Sequence, residues 1–134
     1  MLSVRDIARR VANGALSAQA ALADSERRID ERDGDLRAFA ARPETLTAGE
    51  GPLSGIAVGV KDIIDTADLP TGMGSSIYDG HQPRADAPIV MALKAAGASV
   101  AGKTQTTAFA FLDPAPTRNP HDPSASPGSR SVSM

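Results

Sequence analysis

The run Ile56-Ala57-Val58-Gly59-Val60, cut off at once by Lys61-Asp62, constrains this chain more than any other feature. Five consecutive apolar residues with no polar alternation predict a strand covered on both faces, the habit of strands in α/β layers. Downstream, Asp86 is placed to cap a third helix over Ala87 to Ala96, with Ile89, Val90, Leu93 and Ala96 as its inner face. Gly97 suits the left-handed position just past that helix. Ala98 to Ala101 then reads as a second buried strand. Strand, helix, strand in that order predicts a βαβ-like unit and an α/β fold.

Two helices are expected before it. Ser3 and Asp6 form a capping-box pattern ahead of Val4, Ile7, Ala8 and Val11, which share one stripe, and Gly14 ends the helix. Ser17 opens a second helix that stops at Asp33-Gly34. Its narrow face is Ala18, Ala21, Leu22, Ser25 and Ile29, opposite a charged face from Glu26 to Arg32. Leu36 to Ala40 is a weakly signalled strand, and Thr104 to Phe111 a short helix. The expected organisation is one domain: helices over 1–34, an α/β core over 35–113, and a Pro/Ser-rich tail over 114–134. Five of the ten prolines lie in that tail, which has little apolar area to offset its ordering entropy, so poor order is expected there.

Composition removes whole classes of function. The 134 residues carry a net charge of −2, which lacks the basic excess of a nucleic-acid or membrane-surface binder. The absence of cysteine excludes disulfides, Cys-ligated metals and a thiol nucleophile. No apolar run approaches the ~18 residues of a membrane span, and the N-terminus has no signal-like stretch, so a cytoplasmic location is expected. His81 and His121 stand far apart without metal-ligand spacing and are expected at the surface. No metal site and no cofactor are expected.

Gly97-Ala98-Ser99-Val100-Ala101-Gly102-Lys103-Thr104 matches the G-x-x-x-x-G-K-[ST] phosphate-loop pattern letter for letter. The context is wrong. That loop must follow a strand and curl at the start of a helix, whereas here the first glycine follows a helix and the four residues between the glycines are the strand. Lys103 is therefore expected at the surface or behind a site, and Thr104 as a helix cap.

By position alone, Lys61 is a strand-end lysine with a packed stem and a solvated ammonium. Longer phrases give it another meaning. Gly51-Pro52-Leu53-Ser54-Gly55-Ile56-Ala57-Val58-Gly59-Val60-Lys61-Asp62-Ile63-Ile64-Asp65-Thr66 resembles the block that opens the core of the amidase signature family. Asp86 to Val90, Leu93 to Ala98, Gly102 to Thr104 and Phe109-Ala110 continue the resemblance in order, and Asn119-Pro120 and Ser126-Pro127-Gly128 resemble the approach to its Gly/Ser-rich motif. In style the chain also resembles malonamidases within that family.

The resemblance implies the first part of an α/β/α sandwich with a mixed central sheet, preceded by two helices. It further implies hydrolysis of a small carboxamide by a Ser-Ser-Lys triad, with Lys61 as general base in its neutral form and no cofactor. A bridging serine relays the proton and a second serine attacks the carbonyl. After Pro127-Gly128 the family's glycine-rich pattern gives way to Ser129-Arg130-Ser131, which without a gap puts Arg130 at the bridging position; a one-residue slip would bring Ser131 or Ser129 into that role, Ser131 being the candidate taken forward. A truncated chain without the nucleophile, cut by a frameshift near Gly128, is the expectation this break raises. Two other readings stay open: part of the A subunit of a glutamine-dependent tRNA amidotransferase, and a non-catalytic piece that docks on a complementing chain or forms a homo-oligomer.

Overall fold

The computed structural model describes residues 2–111 and 114–125. Its elements are α1 (Val4–Ala12), α2 (Ala18–Leu36), β1 (Phe39–Ala41), β2 (Ala57–Lys61), α3 (Pro88–Ala95) and β3 (Ser99–Thr104), with single 3-10 turns at Ser76–Tyr78 and Ala108–Ala110. The three strands form one mixed sheet in the order β1-β3-β2. β2 runs parallel to β3, from Ala57 opposite Ser99 to Lys61 opposite Thr104, and β1 is antiparallel to β3. This is the α/β architecture that the strand–helix–strand order predicts, with the mixed sheet that the family resemblance implies.

Alternation along β2 sends its side chains to two separate cores. Val60 joins Leu69, Val90 and Val100, with Ile64 and Ala87 packed against them, on the α3 side. Ala57 packs with Leu22, Leu46 and Ala101, beside Ile29 and Phe39, on the α2 side. The face predicted for α2 is the one used: Ala21 and Leu22 are buried, while Arg27 and Arg28 pair with Asp24 and Glu31 on the charged side. Both predicted serine caps form, Ser3 accepting from the Asp6 N–H and Ser17 from the Ala20 N–H, each at 3.1 Å.

Several expectations are corrected. α2 runs past Gly34 to Leu36, ending where Arg37 takes the left-handed conformation and its N–H donates to Asp33 O. In α3, Ile89 is 57% exposed rather than inward, and Met91 lies outside with it. Asp86 does not cap that helix. Ala87 is the N-cap residue, without a side-chain bond, and Pro88 at the first turn needs no N–H partner. The strand after Gly97 continues to Thr104 because ladder bonds to β1 and β2 hold Lys103 and Thr104 extended. Thr104 therefore caps nothing, and only a 3-10 turn follows, with Phe109 at φ 51° and Ala110 at φ 59°.

Among the described residues, the segment 114–125 is hydrogen-bonded back to the end of α2. The Arg118 N–H and the Thr117 hydroxyl both donate to Leu36 O, at 2.8 and 3.2 Å.

Candidate active site

The chain has three lysines, and the fold gives them three different surroundings. Lys94, on α3, bridges Asp86 at 2.9 Å and Asp68 at 3.1 Å. Lys103, on β3, is fully buried. Its Nζ donates to Thr71 Oγ1 at 2.6 Å and Pro70 O at 3.2 Å, and stands 3.3 Å from Asp62 Oδ1. Burial pushes the Lys103 ammonium below the usual lysine range, and the Asp62 carboxylate pulls part of the way back. The expectation of a surface position for Lys103 is thus corrected, although a place behind the site agrees with the fold.

Lys61 closes β2. It is half-buried and forms no ion pair among the described residues. Alternation places it on the α2 side of the sheet, with Ala57 and Gly59. Gly59 is exposed, and a methyl group there would meet the Thr104 Cγ2 at 2.8 Å, so glycine lets Thr104 approach just before the lysine.

Asp62 turns the other way. It is buried, its two carboxylate oxygens accept from the Gly72 N–H at 3.2 Å each, and its backbone carbonyl accepts from the Met73 N–H at 2.9 Å. The loop it catches forms one wall of a cleft of about 510 Å³, which Asp62, Gly74, Ser75, Gln105, Thr106 and Pro116 help to line. The far side of that loop is equally tight. Gly74 has φ +65°, and a methyl there would stand 2.7 Å from Thr106 O, while the Phe109 N–H donates to Met73 O at 2.9 Å. Lys61 itself is not part of the cleft lining.

Of the two residues singled out for catalysis, the structure places Lys61 at the strand end, beside the cleft wall. Ser131, with Ser129 and Arg130, lies outside the described residues. His81 and His121 are both exposed, as expected, and among the described residues no group of three metal-ligating side chains occurs. Sequence reasoning missed the buried Lys103–Asp62–Thr71 cluster. The signal available was the run Val100-Ala101-Gly102 leading straight into Lys103 and the β-branched Thr104, which allows the strand to continue through the lysine.

The fold just described matches known proteins over most of the chain. The amidase family profile matches residues 17–131. The A subunit of glutamyl-tRNA(Gln) amidotransferase from Acidothermus cellulolyticus is 39% identical over 109 residues, covering 75% of this chain and 22% of that protein. Among solved structures, the A subunit of the Thermotoga maritima glutamyl-tRNA(Gln) amidotransferase superposes with a TM-score of 0.81 at 28% identity, over 95% of this chain and 29% of that one. The native peptide amidase from Stenotrophomonas maltophilia gives a TM-score of 0.82 at 29% identity, over 94% and 31%. This chain belongs to the amidase signature family. It spans about a quarter of the length of the curated relatives it matches. Among the described residues no helix is long and apolar enough to cross a membrane.

Proposed function

We propose that this chain carries the lysine-bearing part of a site that cleaves carboxamide C–N bonds, with Lys61 as the general base. The observation that supports this most directly is the contrast among the lysines: Lys94 and Lys103 are each committed to carboxylates, whereas Lys61 has no such partner among the described residues. A general base needs an amine that is not already engaged by another group. Ser131 is the candidate bridging serine, and a small carboxamide is the substrate class. On this reading the 134 residues by themselves do not turn over amides: in the ungapped register Arg130 stands at the bridging position, where a permanently charged guanidinium cannot relay a proton, and Ser131 reaches it only by a one-residue slip.

The test is a chimera in which residues 51–111 replace the matching segment of a complete amidase of this family. Amide hydrolysis by the chimera should fall roughly 10²–10⁴-fold in Lys61→Ala, the usual contribution of a general base, and should persist in Lys94→Ala. Turnover that survives Lys61→Ala intact would reject the assignment.

A second reading rests on the amidotransferase relatives: the site would release ammonia from glutamine for transfer within a subunit complex. Comparing glutamine with simple aliphatic amides as substrates of the chimera separates the two.

A further inference from the structure

Lys103 is the residue that the amide-cleaving reading leaves without a task, yet the fold spends an unusual arrangement on it. A buried ammonium costs several kcal/mol unless its partners replace water, and the neighbouring positions on this side of the sheet are filled by Val60, Leu69, Val90 and Val100. Any aliphatic side chain would have served for packing. What a lysine adds is reach and charge. From the central strand it crosses to acceptors on two separate segments: Asp62 at the end of β2, and Pro70 and Thr71 in the loop beyond.

Asp62 relays the hold. Its carboxylate, fixed on one side by Lys103, receives the Gly72 N–H, and its backbone carbonyl receives the Met73 N–H. A methyl group on Gly72 would stand 3.0 Å from Asp62 Oδ2, so the approach leaves little slack. At the same residue, the Asp62 N–H donates to Thr104 O at 3.0 Å, anchoring the strand end to β3 immediately after Lys61.

We propose that Lys103 is a positioning residue: its buried pair with Asp62 locks the strand end that bears Lys61 to the Pro70–Met73 wall of the cleft. The proposal rests on the reading of Lys61 as base, since only then does the placement of that strand end bear on turnover. Lys103 touches no reacting atom in this role and acts through Asp62.

The test uses the 134-residue chain labelled with 15N and with 13C at the lysine ε-carbons, whose three resonances are assigned by single substitutions. In Lys103→Met, the Gly72 and Met73 amides should exchange about tenfold faster or more, since their opening becomes local rather than global, and the Lys61 ε-carbon resonance should move. Val90→Ala, a cavity in the adjoining core, lowers the unfolding midpoint but should leave that resonance in place. The double variant Lys103→Met/Asp62→Asn should regain part of the lost unfolding midpoint, because it removes the carboxylate left unpaired, but not the Gly72 and Met73 protection, because the pair is still absent. Should Lys103→Met fail to fold, Thr71→Val carries the test, with faster Gly72 exchange and a moved Lys61 resonance expected. Unchanged Gly72 and Met73 exchange, or an unmoved Lys61 resonance, in the variant that folds overturns the proposal. Failure of the Lys61 assignment shows separately, as chimera turnover indifferent to Lys61→Ala.

Discussion

Lys94 Nζ lies 2.9 Å from Asp86 Oδ2, and the other oxygen of that carboxylate accepts from the Ala67 N–H at 2.7 Å. One side chain thereby clips the turn after β2 to the helix that follows it. Burial alone would raise the Asp86 pKa, but the Lys94 bond and the Ala67 N–H outweigh it and hold the carboxyl below its ordinary 3.8. Burial would likewise lower Lys94, and its bonds to Asp86 and Asp68 hold it above 10.5 instead. A depressed carboxyl stabilises the fold above its unfolded value and loses that contribution as pH falls through the folded one; a raised lysine keeps its contribution below its unfolded value and loses it as pH rises through the folded one. The pair should therefore contribute fully between these limits, by about 1 kcal/mol after allowance for solvent screening. Urea midpoints at pH 7 and pH 3 check this: the acid loss should be smaller in Asp86→Asn than in the parent.

Gly51→Ala should cost about 2–4 kcal/mol, because the substitution combines strain with a clash. Gly51 has φ +139°, and its added methyl would run into Ala96 O, an oxygen already accepting from the Leu53 N–H. Chemical denaturation measures the loss. A midpoint within error of the parent would mean that the 49–55 loop does not seat against the end of α3 as described.

Leu22→Ala should cost about 2–4 kcal/mol through the cavity it leaves. Leu22 is fully buried and joins α2 to Leu46 and Ala101. The loop at Leu46 is itself held to α2, with Gln19 donating to Leu46 O at 2.8 Å and the Glu26 carboxylate accepting the Leu46 N–H. Faster exchange of the Leu46 amide in Leu22→Ala would accompany the lowered midpoint.

Lys61→Met should change the unfolding free energy by less than about 0.5 kcal/mol, as for a half-buried side chain with no ion-pair partner to lose among the described residues. Lys103→Met should cost about 3 kcal/mol or more, since it strands Asp62 in the core. Equal losses for the two would contradict the division of roles among the lysines.

Mg-ATP should leave the melting temperature unchanged. Ser99, Val100 and Lys103 are paired in register with Ala57, Val58 and Val60, so their N–H groups are committed to a strand and cannot cradle phosphates. A concentration-dependent rise in a thermal melt would contradict that.

Local signals were readable where one residue type has one physical use. Ser3 and Ser17 announce helix starts, Gly97 with φ +92° ends α3, and the apolar block before Lys61 is the strand it promises. Periodicity failed at α3 because Pro88-Ile89-Val90-Met91-Ala92-Leu93 is apolar all round. The sequence then offers no polar face to say that Ile89 and Met91 point outward. The reach of β3 past Ala101 was hidden for a different reason. Extension at Lys103 and Thr104 is imposed by partners some 40 and 60 residues earlier, Val60–Lys61 and Phe39–Ala41, which no window of neighbouring residues contains. Lys61 became a candidate through the phrase around it, and the Lys103–Asp62 pair became visible only once the strands were side by side.

Because β3 is the middle strand, the two outer strands have no one to hold until it exists. A ribosome delivers Phe39–Ala41 and Ala57–Lys61 first, and at about 5–20 residues per second these wait several seconds for Ser99–Thr104 to emerge. Sheet formation in this chain is thus a late, single event in translation, and nascent chains arrested before the hundredth codon carry helices but nothing for their strands to pair with.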